Sequence, residues 1–304
     1  MNFRRWTLLL LFLVFHFAVV AKAQNVAPVA EKICELKDAR INESSGLAAS
    51  RKYSASELLI THNDSGGEPK LFYVNLHGET VAEVLLKGAT NIDWEDMAIT
   101  DDWIYVGDIG DNMRKRESVT IYRLREPEFN PRKTGQKREA TCEKMTLKYP
   151  DAPCDSETLM ATRNGEIILI SKNGGPSRFY KTPRAFENNA TQTLEKIGEY
   201  SFTGKTASSY LTTGGDLSPS GMSFIVRTYT HAYAWSLLDE TWKRAIKDTP
   251  YIWELPTSKQ GEAICFAADS SAYFLSSEGA PAPIWKIKFD KSIKKSIARA
   301  FAKR

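Results

Sequence analysis

Histidine and cysteine are scarce, four of each among 304 residues. One histidine, His16, falls in the N-terminal leader. Too few remain for a histidine-rich metal cluster, and no Cys/His spacing resembles a zinc site. Glycine (18) and proline (13) are too few for a collagen-like or disordered chain. Acidic residues are missing from both ends. Residues 1–23 hold Arg4, Arg5 and Lys22, and residues 291–304 hold Lys291, Lys294, Lys295, Arg299, Lys303 and Arg304, with no acid in either stretch. The body between them keeps 32 of the 41 basic residues against all 37 acidic ones. A nucleic-acid binder carries its positive charge on the folded body, where phosphates dock. This body is acidic, which excludes that class.

Also missing is an apolar run of the ~20 residues that a spanning helix needs. The greasy stretch Leu8–Val20 is shorter. With Arg4 and Arg5 before it and Ala21-Lys22-Ala23 after it, residues 1–23 read as a signal peptide cut after Ala23. The competing reading is an uncleaved anchor. Export makes the mature chain secreted or periplasmic, where disulfides persist. Cys142 and Cys154 enclose a short segment with Pro150 and Pro153, and a bridge between them is expected to staple that loop. Cys34 and Cys265 can pair, or Cys265, in the apolar run 263–266, can serve as a small buried side chain.

What the mature chain does have is internal repetition. Five segments share an apolar strand preceded by small or acidic residues, a second strand rich in β-branched and aromatic residues, a turn, and an aromatic third strand. They begin at Glu43-Ser44-Ser45-Gly46, Asp93-Trp94-Glu95-Asp96, Asp155-Ser156-Glu157-Thr158, Gly215-Asp216-Leu217-Ser218 and Gly261-Glu262-Ala263-Ile264. Aligned on Leu47, Met97, Leu159, Leu217 and Ile264, the period is about fifty residues, which in an all-strand chain indicates propeller blades. Fourth strands are expected at 80–86, 144–149, 194–200 and 251–255. The fifth blade lacks one downstream, and Ile33-Cys34-Glu35-Leu36 is free to supply it from the N-terminal end. That loan closes the ring and removes an exposed sheet edge. The expectation is an all-β, single-domain propeller over 24–290 with five four-stranded blades, six being the alternative. The basic tail 291–304 reads as an amphipathic helix, either packed on the rim or in contact with an anionic surface.

First strands line a propeller's channel, and the turns after the second strands sit near its mouth. One ring of candidates is then Ser45, Glu95, Glu157, Asp216 and Glu262; a second is Asp64, Asp108, Lys172, Arg227 and Glu278. Glu157 is expected to pair with Lys172, and Asp216 with Arg227. Asp64, Glu95, Asp108, Glu262 and Glu278 are left without a basic partner, with Asp93, Asp96 and Asp111 nearby. Oxygen-only donors of this kind suit a hard cation, calcium above all. The same Asn-Asp-Ser-Gly and Asp-Ile-Gly-Asp-Asn runs are also good turn formers in their own right. If the site is catalytic, Glu95 or Glu262 activates water while Lys172 or Arg227 steadies negative charge. His62 can act as a base beside Asp64 or serve as a buried structural histidine.

At Asp93–Ala98, Tyr105–Asn112, Asn63–Gly67, Asp216–Pro219, Arg227–Tyr229 and Gly261–Ile264 the chain resembles secreted bacterial β-propellers that have no established activity. More distantly, its blade rhythm and central acids are similar to phytase-like, esterase-like and apyrase-type propellers. The resemblance implies a propeller fold and an extracytoplasmic location. Two functions follow as expectations. One is a monomeric module whose calcium-ordered mouth binds a small molecule, glycan or protein; the other is a calcium-dependent hydrolase of phosphoesters, lactones or carboxylesters.

Overall fold

The structure, a computed structural model, describes residues 28–237 and 241–288. The leader and the basic tail lie outside the described residues. Strand β1 (Ala30–Glu35) comes first and belongs to the last blade. Blade one follows as β2 (Ser44–Ala49), β3 (Leu59–Asn63), β4 (Lys70–Val74) and β5 (Thr80–Lys87). Blade two is β6 (Trp94–Ile99), β7 (Ile104–Asp108) and β8 (Val119–Leu124), then β9 (Gln136–Thr141), which leaves the blade, and β10 (Glu143–Lys148), which returns. Blade three is β11 (Ser156–Ala161), β12 (Ile167–Ser171) and β13 (Ser177–Lys181), then β14 (Thr191–Thr193), which leaves the blade, and β15 (Glu195–Tyr200), which returns. Blade four is β16 (Thr212–Leu217), β17 (Ser223–Thr228), β18 (His231–Ser236) and β19 (Tyr251–Glu254). Blade five is β20 (Ile264–Phe266), β21 (Ala272–Leu275) and β22 (Pro283–Lys288), completed by β1 in the order β1-β22-β21-β20. The architecture is a five-bladed β-propeller, closed by the N-terminal strand as its sequence requires.

Each blade is a sheet buried on both faces. Because strand side chains alternate, every strand feeds two cores at once. On β7, Ile104 and Val106 pack toward blade one while Tyr105 packs toward blade three. On β12, Ile167 and Leu169 face blade two while Ile168 and Ile170 face blade four. Five such cores lie between neighbouring blades, the last joining Leu47 and Phe72 of blade one to Cys265 and Phe274 of blade five. Two strands were not legible beforehand. β9 pairs in parallel with β5 of blade one, and β14 pairs in parallel with β10 of blade two. Each is a detour that clips a blade to the one before it.

The expected Cys142–Cys154 bridge is not formed; all four cysteines are free thiols. The two flank β10, a six-residue strand that spans roughly 20 Å. Cys142 therefore packs at one end of the strand with the core between blades one and two, and Cys154 beyond the other end with the core between blades two and three. Cys34 and Cys265 contribute to one apolar cluster as separate thiols.

Candidate metal centre

The inner strands β2, β6, β11, β16 and β20 stand around the axis in that order. In the first four blades the inner strand skips one residue against its partner, and the residues left unpaired are Ser45, Glu95, Glu157 and Thr213. Bulges re-aim side chains, here at one end of the channel, the mouth. Glu262 holds the same place in blade five: the bond from Glu278 N–H to Gln260 C=O matches those from Asp64 to Glu43 and from Lys172 to Asp155. The ring is thus Ser45, Glu95, Glu157, Thr213 and Glu262, four of the five expected residues with Thr213 in place of Asp216. Asp216 is not in it, because Gly215, not Leu217, pairs opposite Val226 in the slot that Leu47, Met97 and Leu159 occupy. Asp216 lies further along the strand, where its Oδ2 accepts the Phe266 N–H at 2.8 Å.

At the mouth, one carboxylate oxygen each of Asp64, Asp93 and Glu95 lies within 4.8 Å of the others. The same holds for Glu95, Asp155 and Glu157, all three of them buried. Glu95 belongs to both groups. Such buried carboxylate clusters are able to hold a metal ion. Gly110 makes room for them: a Cβ there would stand 2.2 Å from Glu95 Oε1 and 2.5 Å from Asp93 Oδ2. The glycine of Asp-Ile-Gly-Asp-Asn is therefore a matter of close approach as well as of turn formation. In the same run Asp111 caps the loop by accepting the Lys115 and Arg116 N–H groups.

The electrostatics follow from burial among like charges. Burial first, then Glu157, Asp64 and Asp93, push Glu95 well above the carboxylate range. Burial and Asp93 raise Asp64 to about 6. Burial, then Glu262 and Asp64, raise Glu278 to about 7. Glu157 rises to about 8 through burial, although Lys172 opposes the shift. Lys172 does meet Glu157, at 2.7 Å. Asp64 Oδ1 and Glu262 Oε2 are buried without a hydrogen-bond partner, a costly condition for an acceptor.

Other sequence candidates are placed differently. Asp108 has a basic partner after all, Arg116 at 2.7 Å, and also accepts the N–H groups of Ile92 and Asp93. Glu262 and Glu278 sit within electrostatic reach of Asp64 but outside the two three-carboxylate groups. Arg227 does not pair with Asp216. Its Nη1 donates to the carbonyls of Ala263 (2.7 Å) and Ser276 (3.2 Å), locking blade four to blade five, and Gly261 leaves it the space. His62 is fully buried, and desolvation lowers its pKa to about 4, so it is a neutral structural ring at neutral pH. Asp155, and the place of Glu157 in a carboxylate group with Glu95, were missed. The signal was available in the shared acid–x–acid spacing of Asp93-Trp94-Glu95 and Asp155-Ser156-Glu157.

No protein-family model and no curated protein matches the chain. Among solved structures it is similar to the PQQ-bound aldose sugar dehydrogenase of Streptomyces coelicolor (9% identity, TM-score 0.49, covering 86% of this chain and 99% of that one). It is also similar to the gluconolactonase XC5397 of Xanthomonas campestris (9%, 0.47, 86% and 89%) and to a nidogen/laminin complex (8%, 0.43, 77% and 72%). The assignment of the fold rests on the strand pairing of this chain itself.

Proposed function

We propose that this protein is an extracytoplasmic binding module whose propeller mouth holds calcium and, through it, a ligand. One observation carries the reading: Glu95 sits buried at the junction of two carboxylate groups, with three acids and no base as its principal electrostatic neighbours. The donor set fits the ion. It is all oxygen, comes from strand ends of several blades, and includes a buried oxygen that lacks a partner, Asp64 Oδ1. Calcium accepts six to eight such ligands at flexible geometry, whereas magnesium demands a tighter octahedron and keeps its waters. Asp64, Asp93, Glu95, Asp155 and Glu157 would hold it. The leader supports export.

Calcium titrated calorimetrically into chelator-treated protein should bind, and magnesium should bind more weakly. At a hundredfold excess over Kd, binding stabilises the native state by about 2.7 kcal/mol, or roughly 5–10 °C in Tm. Absence of both heat and melting shift sinks the proposal.

A second reading, hydrolysis of a phosphoester, lactone or carboxylester, is favoured by the position of Glu262. Its carboxyl has Lys172, Arg227 and Tyr229 as neighbours, one of its oxygens lacks a hydrogen-bond partner, and burial raises its pKa, as suits a base. Bound calcium would supply Lewis-acid polarisation of the substrate oxygen. Glu262 would take the proton of the attacking water, and Lys172 would face developing negative charge. Turnover on aryl esters, lactones or phosphoesters that a chelator abolishes and Glu262→Gln removes would establish it; no turnover across that panel leaves the binding reading.

A further inference from the structure

Beside the mouth, against blade four and the segments that enter and leave it, is a cavity of about 600 Å³. Small-molecule sites occupy roughly 300–1,000 Å³. One wall is the linker that leads from blade three into blade four. Its hydroxyls form a connected chain: Thr206 Oγ1 lies 2.9 Å from Ser208 Oγ and 3.0 Å from Ser209 Oγ, and Thr230 Oγ1 reaches Ser209 at 3.1 Å and His231 Nδ1 at 2.8 Å. Gly204 lets the linker fold this tightly, since a Cβ there would stand 2.1 Å from Ser209 Cβ. Hydroxyls already tied to one another lose little freedom when a ligand meets them.

The segment 257–260 that enters blade five is also part of the lining. Lys205 and Lys259 contribute one lysine from each of these segments, and neither has an acidic partner among the described residues. Glu254 is the single acid of the lining, so the cavity favours an anion. Ile252 and Leu255 add an apolar patch of the kind that packs against the C–H face of a sugar ring. The cavity also communicates with the acidic mouth. Tyr229 and Gln260 line it, and the same two side chains flank Glu262.

We infer that this cavity is the ligand site of the propeller, and that it takes a hexose-sized polyol carrying one acidic group, a phosphorylated or carboxylated sugar. The hydroxyls of the sugar meet the Thr206–Ser209–Thr230 chain, and the acidic group lies between the two lysines, turned toward the mouth. This deepens the calcium reading and rests on it for the link between mouth and cavity.

The test uses the mature protein, with glucose 6-phosphate, glucuronate and uncharged glucose titrated in the presence and absence of calcium. At least one acidic sugar should bind ten times or more tighter than glucose; which of the two does so decides between phosphate and carboxylate. Lys205→Glu/Lys259→Glu should weaken that binding tenfold or more while leaving the calcium titration unchanged. Both side chains are exposed, so the fold is not at risk. Ile252→Trp, which fills the cavity, should abolish sugar binding by a route independent of charge. Three results overturn the inference: calcium binds and neither acidic sugar does, glucose binds as well as they do, or the charge-reversed variant binds like wild type. If calcium fails to bind but an acidic sugar does, the cavity stands and the calcium reading falls.

Discussion

Glu95 and Asp96 are neighbours on one inner strand; both are carboxylates and both are buried, yet they are served in opposite ways. Asp96 has no exposed surface, and its oxygens accept three backbone N–H groups: Met97 at 2.8 Å, Leu159 at 3.0 Å and Gly215 at 3.1 Å. Burial pushes its pKa up and these amides pull it down. The result is a buckle joining blades two, three and four across the axis. Glu95, displaced onto the bulge, finds the acids Glu157, Asp64 and Asp93 instead of backbone donors. One carboxylate is answered by backbone donors, and the other has acids for its nearest charged neighbours. A buried acid is therefore a sign of a ligand only after its backbone donors have been examined.

The largest effect should come from breaking the buckle. Asp96→Ala strands three buried N–H groups, each costing on the order of 1 kcal/mol or more, which corresponds to a Tm lower by roughly 10 °C. Asp96→Asn should cost less, since its oxygen can keep two of the bonds while its NH₂ confronts the Met97 N–H. A neutral Asp96→Ala would undo the contrast with Glu95. Glu95→Gln should do the reverse. A neutral amide beside these acids should leave the calcium-free Tm unchanged or slightly raised, while calcium affinity in calorimetry falls tenfold or more, because ligand charge sets affinity in such sites.

The acidity of the mouth sharpens the comparison further. Asp64, Glu278 and Glu157 have folded pKa values of about 6, 7 and 8, above their ordinary values of 3.8, 4.5 and 4.5. An acid raised in this way makes the folded state bind more protons than the unfolded chain. Stability is then greatest below the unfolded pKa and declines until the folded pKa is passed. Melting of the calcium-free protein should accordingly weaken from about pH 4 to pH 8, and saturating calcium should recover most of the loss at pH 8. Asp216, raised to about 7 by burial, lies away from the mouth, and its share of the decline should persist with calcium. A calcium-free melting temperature that is flat or rising across this range would contradict the assignment.

How much of this was legible beforehand depended on sequence distance. The blades were, because each hairpin is local and its apolar alternation is strict. The closing strand was as well, since a blade with three strands at one end and a spare strand at the other allow one solution. Glu157–Lys172 was readable because the two face each other across one hairpin. Arg227 was not: its true acceptors, Ala263 and Ser276, belong to the next blade. Asp108 was misjudged because Arg116 sits in the loop that follows, outside the ring positions being compared. The fourth-blade slip, Asp216 for Thr213, came from aligning on a leucine where the register places Gly215. β9 escaped notice because Gln136–Thr141 is charged and half exposed, and its partner β5 is fixed by the path of a linker.

The smallest predicted effect separates the two readings of the Asp-Ile-Gly-Asp-Asn turn. Gly110 lacks the positive φ that would demand glycine, and its N–H bonds to the Asp93 carbonyl at 3.1 Å, which alanine would keep. On backbone grounds alone Gly110→Ala should be neutral or stabilise by about 0.4–1 kcal/mol through the unfolded chain. Its Cβ, however, would intrude on Glu95 Oε1 and Asp93 Oδ2. If the glycine is there for the carboxylates, those side chains must turn aside, and calcium affinity should fall severalfold with little change in the calcium-free Tm. Gly67→Ala is the control, because a Cβ there meets nothing within 4 Å and its φ is likewise not positive. Calcium titrations that match between wild type and both alanine variants would mean that the space beside Gly110 serves the turn and not a cation.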